Sequence, residues 1–207
     1  MEQQIIAMLE LQDGMNTKVH PDWRNQGYAW HRAIWVECAE LMEHHGWKWW
    51  KKQSPDRDQV ILELVDIWHF GLSILLLEGR PRTEIAATVA AAMAAAPRAG
   101  DFLLDVERFT LATLETRRFE VPLFATLMAG VGLDFDDLYA RYVGKNVLNL
   151  FRQDQGYQSG HYRKTWQGKE DNEHLMEILN ELDRASHSFR DDLYRSLEVR
   201  YRDLADG

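Results

Sequence analysis

The sequence predicts an all-α protein, a bundle of helices without a substantial sheet. Apolar residues recur at spacings of three and four along most of the chain, which is the period of an amphipathic helix. The strict alternation of apolar and polar residues that is typical of strands does not occur over any convincing length. Hydrophobic residues make up 45% and charged residues 28% of the 207 residues, as in ordinary globular proteins. We therefore expect one all-α domain that spans residues 1–207.

Four helices are predicted in the first half of the chain. The second ends at Gly46, a residue that commonly follows the last helical turn, and the fourth ends at Pro97, which cannot continue a helix. The first ends at Gly14 or runs on through Asn16. The approximate ranges are 5–14, 28–45, 60–77 and 83–96.

The third of these helices, residues 60–77, is apolar on nearly all sides and long enough to cross a membrane. It contains Glu63, Asp66 and His69, however, and an acid at the centre of a bilayer costs roughly 2.5–3.5 kcal/mol. The segment is therefore predicted to be a buried helix of a soluble protein, and no membrane partner is expected.

Three more helices are predicted at residues 101–118, 121–130 and 134–143. From residue 142 to residue 172 the composition changes, because glycines interrupt a stretch that carries a net charge of +2. We interpret this stretch as a positive loop region. A charged amphipathic helix is predicted at residues 175–204.

The formal net charge of the whole chain is −9, with 33 acidic and 24 basic residues. Such a field repels polyphosphate backbones, so nucleic acid is a poor partner. A single cysteine, Cys38, fits a reducing compartment, and the start of the chain lacks the basic region of a secretory signal. These features predict a cytoplasmic protein.

Four carboxylates carry the strongest functional signal: Glu37 and Glu40 on one predicted helix, and Glu63 and Asp66 on the next. Residues three apart share a helical face, with Cβ atoms about 5–6 Å apart, so each pair can bind one ion. Carboxylate oxygens are the ligands that Mg²⁺ and Mn²⁺ prefer. A solvated acidic face or internal salt bridges would explain the same residues without a metal.

The histidines near these acids give weaker signals. His69 follows Asp66 by three residues, which hints at a di-iron bundle, but that architecture needs Glu-x-x-His on two helices. His44 and His45 are expected at the surface, without a role.

Several ordered phrases accompany the acids. They are Leu11-Gln12-Asp13-Gly14-Met15-Asn16, Glu37-Cys38-Ala39-Glu40-Leu41, Trp47-Lys48-Trp49-Trp50-Lys51, Glu63-Leu64-Val65-Asp66-Ile67-Trp68-His69-Phe70, the run from Gly144 to Gln153, and Lys169-Glu170-Asp171-Asn172. Together they resemble the dimeric dUTPases, within the all-α nucleoside triphosphate pyrophosphohydrolases (the MazG-like superfamily). The resemblance covers residues 5–78 and 138–175, and it implies a helical bundle of that superfamily's type and a homodimer.

The resemblance implies Mg²⁺-dependent hydrolysis of dUTP to dUMP and pyrophosphate, with Mn²⁺ as a possible substitute. About two or three ions would be held by Glu37, Glu40, Glu63 and Asp66, would neutralise the phosphates, and would activate a water in line with the α-phosphorus. Glu40 is the candidate for the acid that helps to deprotonate this water.

Candidate substrate-binding residues fall into two groups. Gln12 and Asn16 are four residues apart on the first helix, so both carboxamides share a face and can offer donors and acceptors to a uracil edge. The resemblance adds Asn146 and Asn149 for base or sugar, and His69 and Trp50 as residues that line the pocket. For the phosphates it implies Lys145, Arg152, Tyr157, Lys164 and Lys169.

Two other interpretations remain open at this point. Carboxamides can flip, so a pyrophosphohydrolase that prefers dCTP or several deoxynucleotides fits the same residues. A non-catalytic helical interaction protein, in which the acids form salt bridges, fits them as well.

Overall fold

A computed structural model describes residues 1–183, 186 and 188–202, and it confirms the all-α class. The chain divides into two compact units, Met1–Tyr139 and Ala140–Gly207. The expectation of a single domain remains a prediction. Each unit is described separately below.

The first unit is built from helices joined by short loops. A single 3₁₀ turn, Trp23–Asn25, follows the first helix. The helices are α1 (Glu2–Val19), α2 (Trp30–His45), α3 (Arg57–Leu77), α4 (Arg82–Ala94), α5 (Phe102–Thr116), α6 (Val121–Gly130) and α7 (Phe135–Asp154), the last of which continues into the second unit.

Helix α3 forms the centre of the first unit and packs against α1 and α2. Its Trp68 is fully buried and stacks on Phe124, with ring centroids 5.3 Å apart. By length and composition α3 could cross a membrane, yet 83% of its most apolar 18-residue window is buried. Burial of so much apolar surface, at about 25 cal/mol per Å², is the main stabilising contribution of a core helix.

Capping side chains and a glycine determine where several of these helices begin and end. The side chain of Asp56 caps α3 by accepting from the backbone N–H of Gln59 at 3.2 Å, and Asp101 caps α5 through Leu104 at 3.1 Å. Gly46 ends α2 with a φ of 85°, a conformation that favours glycine.

The second unit contains the rest of α7, a small hairpin and two further helices. Strands β1 (Thr165–Trp166) and β2 (Lys169–Glu170) pair antiparallel, and α8 (Asp171–Glu181) and α9 (Phe189–Arg202) follow. Aromatic rings from α7, the hairpin and α9 form its core: Phe151, Tyr162, Trp166 and Tyr201.

Helix α7 differs from the sequence prediction, which ended it at residue 143 and placed a loop region after it. The helix continues to Asp154, through Gly144. A Cβ atom at Gly144 would lie 2.9 Å from Leu179 of α8, so this glycine allows close packing of two helices instead of a turn.

The predicted helix 175–204 also differs from the structure, which has two helices, α8 and α9, over this range. Helix α8 already starts at Asp171, where Glu170 and Glu173 form a capping box. The predicted end at Leu204 lies outside the described residues.

Candidate active site

The packing of α2 against α3 brings three of the four predicted acids together. One carboxylate oxygen from each of Glu37, Glu63 and Asp66 lies within 4.8 Å of the others. Glu63 is buried, and Glu37 and Asp66 are half-buried. Because Glu63 and Asp66 are one turn apart on α3, both face α2.

This group of three acids carries a high density of negative charge. Burial, followed by repulsion from Asp66 and a hydrogen bond with Glu63, raises the pKa of Glu37 to about 8. Half-buried carboxylates at this spacing need a nearby positive charge if all of them are to stay ionised. The donors are all hard oxygens, which is the set that a divalent cation such as Mg²⁺ or Mn²⁺ takes, so these residues fit a metal ion.

Glu40 lies on the next turn of α2 and is exposed. Its carboxylate adds to the field that raises the pKa of Glu37, but it does not join the group of three within 4.8 Å. Glu40 therefore lies near the group of three acids, and its role as a metal ligand stays a prediction.

His44 and His45 were expected at the surface without a role, but both are half-buried. The Nε2 atom of His44 lies 3.5 Å from Oε1 of Glu63. The ring of His45 packs on Phe102 with centroids 4.7 Å apart. His44 follows Glu37 by seven residues, two helical turns, and this spacing was the available sequence signal.

The two carboxamides predicted to read the base, Gln12 and Asn16, are buried next to each other. Gln12 Nε2 donates to Asn16 Oδ1 at 3.0 Å, and Gln12 Oε1 lies 2.8 Å from Nδ1 of His69. Both carboxamides also donate to the hydroxyl of Ser73, at 3.2 Å and 3.0 Å. The structure thus brings Gln12, Asn16 and His69 together in a carboxamide cluster.

Ser73 completes this carboxamide cluster and was missed by the sequence analysis. It is fully buried and donates to the backbone carbonyl of His69 at 3.1 Å. It follows His69 by one turn and Asp66 by two turns on α3, so its position on the same side of the helix could have been noticed.

Trp50 lies in the loop between α2 and α3. It is 56% exposed, and its ring makes edge contacts with Trp47 and Trp49 at 5.2 Å and 5.4 Å.

In the second unit, Arg152 forms a double ion pair. Its Nε and Nη2 atoms donate to the two carboxylate oxygens of Asp171 at 2.8 Å each, and Nη1 donates to Asn149 at 3.0 Å. Asp171 is fully buried and also accepts from the hydroxyl of Tyr162 at 2.8 Å.

The other predicted binding residues of the second unit have different settings. Lys145 is buried and donates to Asn172 at 3.3 Å, and Asn146 is buried and bonded to the side chain of Tyr142. Tyr157 is 51% exposed. The surface lysines are paired with acids, Lys164 with Glu170 and Lys169 with Glu177.

A comparison with protein-family models identifies the group to which these residues belong. The family described as dUTPase matches residues 4–157, about three quarters of the chain. The chain belongs to the dUTPase family. No curated protein matches the sequence. The family match includes the four acids, the carboxamide cluster and the α7 residues, whereas Lys164 and Lys169 lie beyond it.

Membership of the dUTPase family makes this protein a dUTP diphosphatase, which acts on a small nucleotide. dUTPases generally depend on divalent metal ions, and the group of three acids could hold one. The interpretation as a non-catalytic interaction protein is therefore set aside.

The contact between His44 and Glu63 leads to a first prediction. Side chains that hold a metal ligand in place typically contribute 10–100-fold to metal affinity. We expect His44→Ala to weaken Mn²⁺ binding about tenfold, and His44→Gln, which keeps an N–H donor, to weaken it less. Calorimetric titration with Mn²⁺ measures this, with the exposed His161→Ala as control. Wild-type affinity in His44→Ala would contradict the role.

Proposed function

We propose that this dUTPase converts dUTP and water into dUMP and pyrophosphate with Mg²⁺ bound by Glu37, Glu63 and Asp66, and with Mn²⁺ as a possible substitute. The observation that carries the proposal is the meeting of these three carboxylates within 4.8 Å on two packed helices. Glu40 would complete the ligand set or act on the water next to it.

A cation is needed for electrostatic reasons. A triphosphate carries roughly −4 charge, and it would be repelled by a group of carboxylates. A divalent ion bound here supplies positive charge against the phosphates and lowers the pKa of water at the site.

Glu40 is exposed, and this position suits a carboxylate that acts as a base and accepts a proton from water. In the proposed reaction the water oxygen bonds to the α-phosphorus, and the bond to the bridging oxygen of the pyrophosphate breaks. A carboxylate oxygen of Glu40 takes the proton that the water loses. Glu37 is less suited, because it is half-buried and a carboxylate oxygen of it lies within 4.8 Å of both Glu63 and Asp66.

We propose that the carboxamide cluster recognises the uracil base through hydrogen bonds. Uracil offers one N–H and two carbonyl oxygens, and Gln12 and Asn16 offer both donors and acceptors. Ser73 and His69 fix the two carboxamides by the hydrogen bonds described above, which limits their freedom to flip. We include Asn146 and Asn149 for base or sugar, and Trp50 as a residue that lines the pocket.

The phosphate-binding residues are proposed from the resemblance and refined by their contacts. Lys145, Lys164, Lys169 and Tyr157 carry ammonium groups and a hydroxyl that suit an anion. Arg152 is held by Asp171 through both arms of its guanidinium, so it would have to leave this carboxylate to bind phosphate. We therefore assign Arg152 first to the fold of the second unit.

We further propose that residues 1–207 are a single all-α dUTPase-like domain. We also propose that the enzyme is a cytoplasmic homodimer and that α2 contributes to the dimer contact. Trp35 and Val36 support this, because both are more than half exposed on that helix. Light scattering would measure the mass of the particle in solution.

Pyrophosphate release from each of the deoxynucleoside triphosphates, with and without Mg²⁺, tests the proposed function. We expect dUTP to give the highest kcat/KM and excess EDTA to stop turnover. A higher kcat/KM for dCTP would refute the assignment of the carboxamide cluster to uracil, and turnover without divalent ions would refute the metal assignment.

A further inference from the structure

A cavity lies in the first unit, where the start of α2, the end of α3 and the end of α5 meet. Its volume is about 580 Å³. Neither the group of three acids nor the carboxamide cluster contributes to its walls. Its polar lining consists mainly of four basic side chains: His31, Arg32, Arg117 and Arg118.

The charge of this cavity is opposite to that of the protein, whose formal net charge is −9. Among the residues that line it, Glu78 is the single acid, and Glu78 is paired with Arg80 at 3.0 Å. The pKa of His31 is lowered by its partial burial and by the positive charges of Arg117 and Arg32. The positive charges of these basic groups thus repel one another, and the single acid that lines the cavity does not compensate them fully.

The backbone adds to this positive field. Helix α2 begins at Trp30 in the wall of the cavity, its N-cap Ala29 offers no side-chain cap, and its first turn contains no acid. The N-terminus of a helix carries a partial positive charge and favours anions such as phosphate.

The remaining walls are apolar and aromatic. The rings of Tyr28 and Trp30 meet edge to face at 5.5 Å, and Ile74 and Leu77 come from α3. A cavity of this volume, with aromatic walls and a few polar groups, is of the kind that binds small organic molecules.

The backbone of Arg117 is unusual. It follows the last turn of α5 with a φ of 56°, in the left-handed region that glycine adopts without cost. An arginine here is conformationally less favourable than a glycine, and this residue lines the cavity.

From these observations we propose that the cavity is a second binding site, for a nucleoside phosphate. The phosphate binds to the arginines and the α2 N-terminus, and the base contacts the aromatic wall. The site is separate from the acidic centre, and the proposal does not depend on how dUTP is hydrolysed.

Equilibrium binding of dUMP in excess EDTA tests the proposal, because without a divalent ion the acidic centre repels the phosphate. We expect saturable binding to the wild-type protein. Arg32→Gln and Arg117→Gly should each weaken it about tenfold or more, since each removes a charged hydrogen-bond donor. Arg117→Gly should keep or raise the melting temperature, because glycine relieves the backbone. The weakening would therefore not reflect unfolding.

Two controls make the test decisive. Arg98→Gln, which changes an exposed arginine outside the cavity, and Glu107→Gln, which changes an exposed acid outside the cavity, should bind dUMP as the wild type does. Absence of dUMP binding, or binding that Arg117→Gly leaves unchanged, would overturn the site. Equal affinity for inorganic phosphate would overturn the assignment to nucleoside phosphates.

Discussion

Replacement of Glu63 by glutamine is expected to abolish dUTP turnover while the protein stays folded. Glu63 is the most buried of the three clustered acids, and its carboxylate lies within 4.8 Å of both Glu37 and Asp66. The amide keeps the volume but loses the negative charge that a divalent ion requires. Loss of a residue that only orients a ligand costs 10–100-fold, so loss of a ligand should lower kcat/KM by at least about 100-fold.

The stability of Glu63→Gln should remain close to that of the wild type or increase. Removal of one carboxylate relieves repulsion within the group of three acids. In the wild type, burial and then this repulsion raise the pKa of Glu37 to about 8. Thermal unfolding monitored by circular dichroism would show this, together with steady-state pyrophosphate release. Glu107→Gln, at an exposed acid on α5, is the matched control and should behave as the wild type in both measurements. Normal turnover in Glu63→Gln would refute the metal site.

Replacement of Arg152 by methionine is expected to have the largest effect on stability. It leaves the fully buried Asp171 without the cation that binds both of its oxygens. Removal of one partner of a buried ion pair typically lowers the free energy of unfolding by about 3–5 kcal/mol, because the charge of the other partner stays buried without compensation. Denaturant unfolding followed by far-UV circular dichroism would measure this loss.

The double variant Arg152→Met, Asp171→Asn provides the control, since it removes both charges. It should be less destabilised than the sum of the two single variants. Wild-type stability of Arg152→Met combined with a raised KM for dUTP would contradict the structural assignment and favour phosphate binding by Arg152.

The same ion pair has a defined pH dependence. Burial of Asp171 would raise its pKa, but hydrogen bonds and charge from Arg152 outweigh burial and lower the pKa below its ordinary value of 3.8. The pair therefore stabilises the fold above about pH 4, and this contribution disappears as the pH falls through the lowered pKa. On acidification in this range, Arg152→Met should lose less free energy of unfolding than the wild type.

The parts of the fold and site that the sequence predicted are those governed by local periodicity. The spacing of Glu63 and Asp66 within an apolar run requires that both lie on one face of a helix. The same rule placed Gln12 and Asn16 side by side, and the structure has them in hydrogen-bond contact.

The parts that the sequence did not predict depend on packing between distant residues. The contact of His44 with Glu63 exists only because α2 packs on α3, and the double ion pair of Arg152 joins residues 19 positions apart. Gly144 was taken as a sign of a loop, because a glycine that allows close helix packing and a glycine that ends a helix look the same in one sequence.

Gly144 also limits how the protein can be engineered. Alanine is the better helix former by about 1 kcal/mol, so a survey for stabilising substitutions would choose this position early. A methyl group there would lie 2.9 Å from a terminal carbon of Leu179, so this side chain would have to move to admit it. Gly144 contributes to the fold because it has no side chain and so leaves room for Leu179. A ranking of residues by helix propensity does not take this contribution into account.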